Sequence, residues 1–200
     1  NIVCIKFIYK VIFYYRSNMH KSVKNLINIQ NNIEANLNNS KIINKSKIIA
    51  VSKTFKMNEI LPLINFGHMD FGENKVQEAI DKWTIVKKEN SSIKLHMIGK
   101  LQTNKVKFAV NIFDYIHSVD SEKLAKKISD ESNKIKKKIK IFIQVNIGSE
   151  EQKSGVDLSN LENLILRCKE INLDLLGLMC IPPFNEDPIK YFQEMEKLNI

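Results

Sequence analysis

Ile48-Ile49-Ala50-Val51-Ser52-Lys53-Thr54 is the stretch from which the rest of the chain can be read. Its first four residues form an unbroken apolar run, three of them β-branched, which fits a strand covered on both faces, as in a parallel sheet. Lys53 follows at once, and the two-residue period of a strand places it on the side of Ile49 and Val51.

Working downstream, the same device recurs. Short β-branched or aromatic runs at 69–72, 95–98, 115–119, 141–147 and 175–181 alternate with stretches of helical periodicity. The helices are expected at 57–66, closed by Gly67, then at 74–87 and 104–113. Another runs from a cap at Asp120 or Ser121 to about Ile135. The next opens on a capping box of Ser159 and Glu162, with Leu161, Leu164, Ile165, Cys168 and Ile171 on one face. The last is placed near 191–198. Upstream, Val23, Leu26, Ile27, Ile29, Ile33 and Leu37 make a further helical stripe that ends at Asn38-Asn39-Ser40.

Six β-then-α units in strict alternation imply parallel strands with right-handed crossovers, either in a doubly wound sheet or in a barrel. No G-x-G-x-x-G or Walker loop follows any strand, which removes the usual reason for the doubly wound form. The expected fold class is therefore α/β, a TIM-type (β/α)8 barrel of which about six βα units are present.

Bulk properties agree with one domain. The chain has 200 residues, 44% of them hydrophobic, enough for one sizeable core. Cys4, Cys168 and Cys180 are odd in number, far apart and without a C-x-x-C pair, so neither a disulfide framework nor a zinc site is indicated, and a reducing cytoplasm fits. The net charge of +9 accompanies an abundance of Lys, Asn and Ile, as an A/T-rich coding sequence would produce. An RNA-binding module is the alternative that charge suggests, but the aromatic-rich strand motif it needs is missing.

Asn1 to Asn18 are apolar and aromatic, with Lys6, Lys10 and Arg16 and no acid. Lys6 and Lys10 interrupt the apolar run and no small-residue cleavage site follows, so it does not read as a signal peptide. It is too short and too charged to span a bilayer. The expectation is a non-native or disordered extension over 1–18, with a natural start at Met19 and an incomplete barrel over 19–200.

Barrel sites are built at the C-terminal ends of strands, so polar residues there carry the interest. An amine among apolar strand residues, such as Lys53, has its charged form disfavoured and can attack an aldehyde, although a lysine snorkelling from a strand end looks the same. In Phe71-Gly72-Glu73-Asn74 an acid and an amide reach the mouth, either to bond a cofactor or, for Asn74, to cap a helix. His96 is a core histidine or a catalyst. Gln144 and Asn146 share a strand face, as a polar interior or as a mutually bonded pair. Lys153 is a ligand contact or a solvated side chain, and the run Lys134, Lys136, Lys137, Lys138, Lys140 reads as a solvated helix end. Metal hydrolysis and serine chemistry have no residues to support them.

Taken in order, Ala50-Val51-Ser52-Lys53-Thr54, Phe71-Gly72-Glu73-Asn74-Lys75-Val76-Gln77-Glu78, His96-Met97-Ile98-Gly99-Lys100-Leu101-Gln102-Thr103-Asn104-Lys105, Lys153-Ser154-Gly155 and Gly177-Leu178-Met179-Cys180-Ile181-Pro182 resemble the pyridoxal-phosphate homeostasis protein family. The resemblance runs from about Met19 to the end. It implies a fold like the N-terminal barrel of alanine racemase, pyridoxal 5′-phosphate as cofactor, and Lys53 as its Schiff-base lysine. Asn74 matches a residue near the cofactor, with Ser52, His96, Gln144, Asn146 and Lys153 as further proximal candidates. Leu95 stands where the family usually has an aromatic residue. Two further βα units, which in the family hold the cofactor phosphate, are not in this chain. The implied role is a non-catalytic cytoplasmic carrier of the cofactor, monomeric, supplying pyridoxal-phosphate-dependent apo-enzymes, with no nucleic acid or membrane partner. An amino-acid racemase on the same barrel is the rival.

Overall fold

The first strand is shorter than the apolar run that announces it. In the computed structural model, which describes residues 19–40, 46–148 and 154–198, β1 is Ala50–Val51. Ser52 lengthens its ladder by one bond, its N–H donating to Gly72 O at 2.9 Å. β2 (Asp70–Glu73), β3 (Lys94–Met97), β4 (Tyr115–Val119), β5 (Lys140–Val145) and β6 (Asp174–Cys180) follow, each parallel to the one before it. The spatial order is the chain order, β1 through β6. A doubly wound sheet reverses its order once, whereas a barrel wall advances one strand at a time. The fold is thus six consecutive units of a TIM-type barrel.

Helix α1 (Lys21–Ser40) precedes the sheet. Then come α2 (Met57–Asn65), α3 (Val76–Glu89), α4 (Val106–Ile112) led in by a 3-10 turn at Thr103–Lys105, α5 (Glu122–Lys134), α6 (Leu158–Glu170) and α7 (Pro188–Lys197). The chain divides into two compact units, residues 1–48 with 55–69, and residues 49–54 with 70–200. The first contains α1, on which Val23 and Leu26 are buried, and α2. Gly67 closes α2 as expected. At φ +98° it takes a left-handed position that costs a side chain dearly, letting Gly67 N–H reach Ile64 O and His68 N–H reach Leu63 O.

The second unit is layered. Strand alternation sends Phe71, Leu95, Met97, Ile116, Ile141, Ile143 and Val145 to the helix side, where all are buried with Trp83, Val106, Ala109, Leu124, Ile128, Leu161, Leu164 and Cys168. Burying one such branched side chain contributes about 1.5–3 kcal/mol, so this layer dominates the stability of the unit. The opposite face carries Asp70, His96, His117 and Gln144, also buried.

Three expectations need correction. α6 starts at Leu158 with Asp157 as its N-cap, so Ser159 and Glu162 lie inside the helix and form no capping box. The cause is upstream: Val156 N–H donates to Gln144 O and Asn146 N–H to Val156 O, holding the chain extended until Asp157. α7 begins at Pro188 because Asp187 accepts from Ile189 N–H and proline is preorganised for the first helical position. Lys137 is no solvated lysine. Its Nζ donates to Val110 O at 3.0 Å and Phe113 O at 2.7 Å, satisfying carbonyls at the end of α4, and burial lowers its pKa.

The expected extension over 1–18 and the candidate Lys153 lie outside the described residues. Among the described residues no helix is long and apolar enough to cross a membrane.

α5 offers a direct test of its surface electrostatics. Glu131 accepts from Lys127 Nζ and Lys134 Nζ, each at 2.8 Å, and those bonds hold its carboxyl down at about 2. A depressed carboxylate stabilises the fold above its unfolded value of 4.5 and loses that contribution as pH falls toward 2. Thermal melts should therefore show Tm falling through that window, and Glu131→Gln should flatten the fall. Equal acid sensitivity in the two proteins would contradict the assignment.

Candidate functional site

Lys53 stands just beyond the C-terminal end of β1, exposed, and its amine has no hydrogen bond or ion pair among the described residues. The backbone on either side of it is held by buried groups. Ser52 is 4% exposed, and its hydroxyl donates to Glu73 Oε1 at 2.8 Å, on the helix side of the sheet. Thr54 sits at φ +67°, a left-handed conformation that strains a β-branched residue by about 1–3 kcal/mol. Its N–H donates to Glu78 Oε1 at 2.7 Å.

One lysine ties the two sides together. Lys82 Nζ donates to Ser52 O at 2.8 Å, to Glu73 Oε1 at 3.0 Å and to Glu78 Oε1 at 2.9 Å. Trp83 Nε1–H also donates to Glu73 Oε1, at 2.9 Å, and its ring packs on Phe71 at 4.8 Å. Glu73 is fully buried, with one oxygen taking three donors and Oε2 taking none among the described residues. Hydrogen bonds from Lys82 and Thr54 lower the pKa of Glu78. The helix that follows β2 thus clamps the turn carrying Lys53 through two carboxylates and one ammonium.

Asn74 follows Glu73 at the same end of the sheet. It caps no helix: the N-cap of α3 is Lys75, without a side-chain bond. Register carries Lys53 opposite Asn74, since Val51 pairs with Gly72. A close approach fixes Asn74, because a Cβ built on Gly99 would lie 2.5 Å from Asn74 O and 2.8 Å from its Cα. Gly99→Ala should therefore push the β3–α4 loop off Asn74 and cost about 1–3 kcal/mol in a urea melt, as overpacking against backbone does. A change under half a kcal/mol would show that the approach is not real.

The remaining candidates separate by face. His96 and Gln144 are buried on the face opposite the helices. His96 bonds Asp70 and His117, and Gln144 Nε2 donates to Ser154 O at 3.0 Å. Asn146 follows β5 and is part-buried, and its N–H closes the bond to Val156 O. Gln144 and Asn146 are therefore anchored to their own loop. Burial, followed by the neighbouring charge of His96, lowers His117 to about 4, so His117 is neutral at physiological pH. Glu73 is turned to the helix side, not to the mouth, and Ser52 goes with it. Reading the sequence missed Lys82, Trp83, Glu78, Asp70 and His117. The sole tryptophan was the available signal, since a buried indole N–H needs an acceptor.

A cleft of about 800 Å³ lined by Ser132, Asn133, Lys136, Lys169 and Asn172 lies at the other end of the strands. Its lining comes from the C-terminal ends of α5 and α6, the negative ends of their dipoles, which offsets the lysines as an anion site. No group of three or more His, Cys, Asp and Glu among the described residues could hold a metal ion.

A parallel barrel wall with an amine unpaired among the described residues and an amide at its C-terminal rim places the chain among the α/β barrel proteins, in which ligand sites are built at that rim. Residues 25–199 match the family model described as alanine racemase, N-terminal domain. The pyridoxal phosphate homeostasis protein of Pasteurella multocida is 34% identical over 166 residues, which cover 82% of this chain and 71% of that protein. That of Aquifex aeolicus is 38% identical over 150 residues, covering 73% and 65%. PipY of Synechococcus elongatus, in a structure with PLP bound, is 30% identical with a TM-score of 0.69, covering 83% of this chain and 78% of PipY. Alanine racemase of Clostridium difficile, 16% identical with a TM-score of 0.58, shows the fold alone. The chain belongs to the pyridoxal phosphate homeostasis protein family, within the alanine racemase N-terminal fold. The match spans about two thirds of these curated relatives' own length.

Proposed function

We propose that this chain binds pyridoxal 5′-phosphate (PLP) covalently through Lys53 and serves to hold and supply that cofactor inside the cell. The observation that carries this reading is the placement of Lys53: an exposed amine without a partner among the described residues, on backbone clamped from both sides. PLP supplies an aldehyde, the group a lysine amine bonds reversibly. A free amine at a barrel rim fits that chemistry.

Asn74 is the ring-side contact in this reading. His96, Gln144 and Asn146 belong to the polar wall, and Lys153 is a second amine acceptor. Ser52 acts indirectly, fixing the residue before Lys53 through Glu73. The name shared by the relatives from Pasteurella multocida and Aquifex aeolicus favours a carrier over an enzyme. The racemase reading has only the shared fold to support it. The recipients are PLP-dependent apo-enzymes, and the carrier acts as a monomer.

Titrating the chain with PLP should shift the cofactor's absorption at one equivalent per chain. A screen of common amino acids should show no racemisation, transamination or decarboxylation above that of free PLP. No spectral shift would overturn the carrier reading. Robust turnover lost in Lys53→Ala would establish the racemase instead.

A further inference from the structure

The face of the sheet away from the helices holds a hydrogen-bonded chain of three titratable side chains. His96 Nε2 lies 3.1 Å from Asp70 Oδ1, and His96 Nδ1 lies 2.9 Å from His117 Nε2, linking β2, β3 and β4. Asp70, His96 and His117 are 8%, 3% and 9% exposed. Both rings are held flat against neighbours. His96 stacks on Tyr115 with centroids 4.2 Å apart, and His117 on Phe142 at 4.4 Å.

The geometry sets the tautomers from one end to the other. A ring nitrogen facing a carboxylate carries its hydrogen, so His96 is protonated at Nε2. In the neutral ring Nδ1 is then an acceptor, which requires His117 to carry its hydrogen at Nε2. His117 Nδ1 keeps a lone pair, and it has no hydrogen bond among the described residues.

We propose that Asp70, His96 and His117 form a proton relay whose open end is His117 Nδ1. A proton taken up at His117 Nδ1 forms the new N–H bond there as the His117 Nε2–H bond breaks. The released proton bonds to His96 Nδ1. His117 ends neutral, as the other tautomer, and His96 ends as an imidazolium against the Asp70 carboxylate. One proton enters, one charge is gained, and it rests on the ring that faces an opposite charge instead of on His117. The depressed affinity of His117 for a proton of its own agrees with that division of labour.

The other titratable groups sharing this face by strand alternation are Lys94 on β3, Tyr115 on β4, Lys140 on β5 and Asp174 on β6. Lys140 Nζ sits 5.3 Å from the Tyr115 ring centroid. Lys53 shares the face beyond the end of β1. On the reading of Lys53 given above, the relay is a proton reserve for amine–carbonyl exchange on that side. Its existence does not depend on that reading.

Nitrogen-detected NMR of the cofactor-free chain labelled at histidine reads both ring states directly. At pH 8 His117 should be protonated at Nε2 only. On acidification the first imidazolium should form at His96 while His117 switches to the Nδ1–H tautomer. Asp70→Asn should move that event to lower pH by about one unit or more, since a facing carboxylate favours the charged ring. If Asp70→Asn does not fold, His96→Gln asks the same question, because charge must then form on His117 itself and at a lower pH than the first event in the parent chain. His117 protonated at Nδ1 at pH 8, a first imidazolium on His117, or unchanged titration in the variant would overturn the relay. Lys53→Ala should leave the pattern untouched, so failure of the relay and failure of the cofactor reading register separately.

Discussion

Lys82→Met is expected to cost the fold about 3–5 kcal/mol, the usual penalty for stripping one partner from a buried ion pair. Among the described residues Lys82 is the sole ammonium on Glu73, whose carboxylate is fully buried and keeps there only the Ser52 hydroxyl and the Trp83 indole once that ammonium is gone. Methionine matches the lysine stem in size, so the loss reports the charge rather than a cavity. The double variant Glu73→Gln with Lys82→Met should recover part of it, because replacing both members of a buried pair leaves no orphaned charge. Urea melts give the numbers. A loss under about 1 kcal/mol in the single variant would mean that the cluster is not the clamp described. The effect should also reach function. Glu78 loses its ion-pair partner, the strained turn at Thr54 relaxes, and PLP affinity falls even where the variant remains folded.

Lys53→Ala has the opposite profile. It should abolish covalent PLP capture completely while changing stability by no more than about 0.5 kcal/mol, as expected for an exposed side chain without partners among the described residues. Loss of binding with intact folding separates a ligand-bonding amine from a structural one. Lys82→Met and Lys53→Ala thus divide the site into the group that reacts and the groups that aim it. If Lys53→Ala also unfolds the chain, the amine has a structural partner that the geometry does not reveal.

Much of the fold was legible because the signals were local and periodic. Tyr115–Val119 reads as a strand from its own residues, and Gly67 announces the end of α2 at a position only glycine takes cheaply. The errors came where distant pairing overrides a local motif. Ser159 and Glu162 have the spacing of a capping box, yet a bridge from Val156 back to Val145 decides where α6 begins. Lys137 looked like one of five solvated lysines, and only the end of α4 packed beside it makes it a cap.

The candidate site was legible in part for the same reason. Alternation alone puts Lys53 on the Ile49 and Val51 side, and Asn74 falls opposite it by register. Glu73 is one residue away from that face, and one residue in a strand is a change of side. It therefore joins Lys82 and Trp83, nine and ten residues on, in contacts made by a helix returning over its own strand. The chain Asp70, His96, His117 spans three strands, and no spacing within any one of them reveals it.

Borohydride reduction of the PLP-treated chain, followed by peptide mass mapping, reads which amine bonds the cofactor. One phosphopyridoxyl group per chain is expected, carried by the peptide containing Lys53 and absent from Lys53→Ala. Label spread over the other lysines, or equal label after Lys53→Ala, would contradict it.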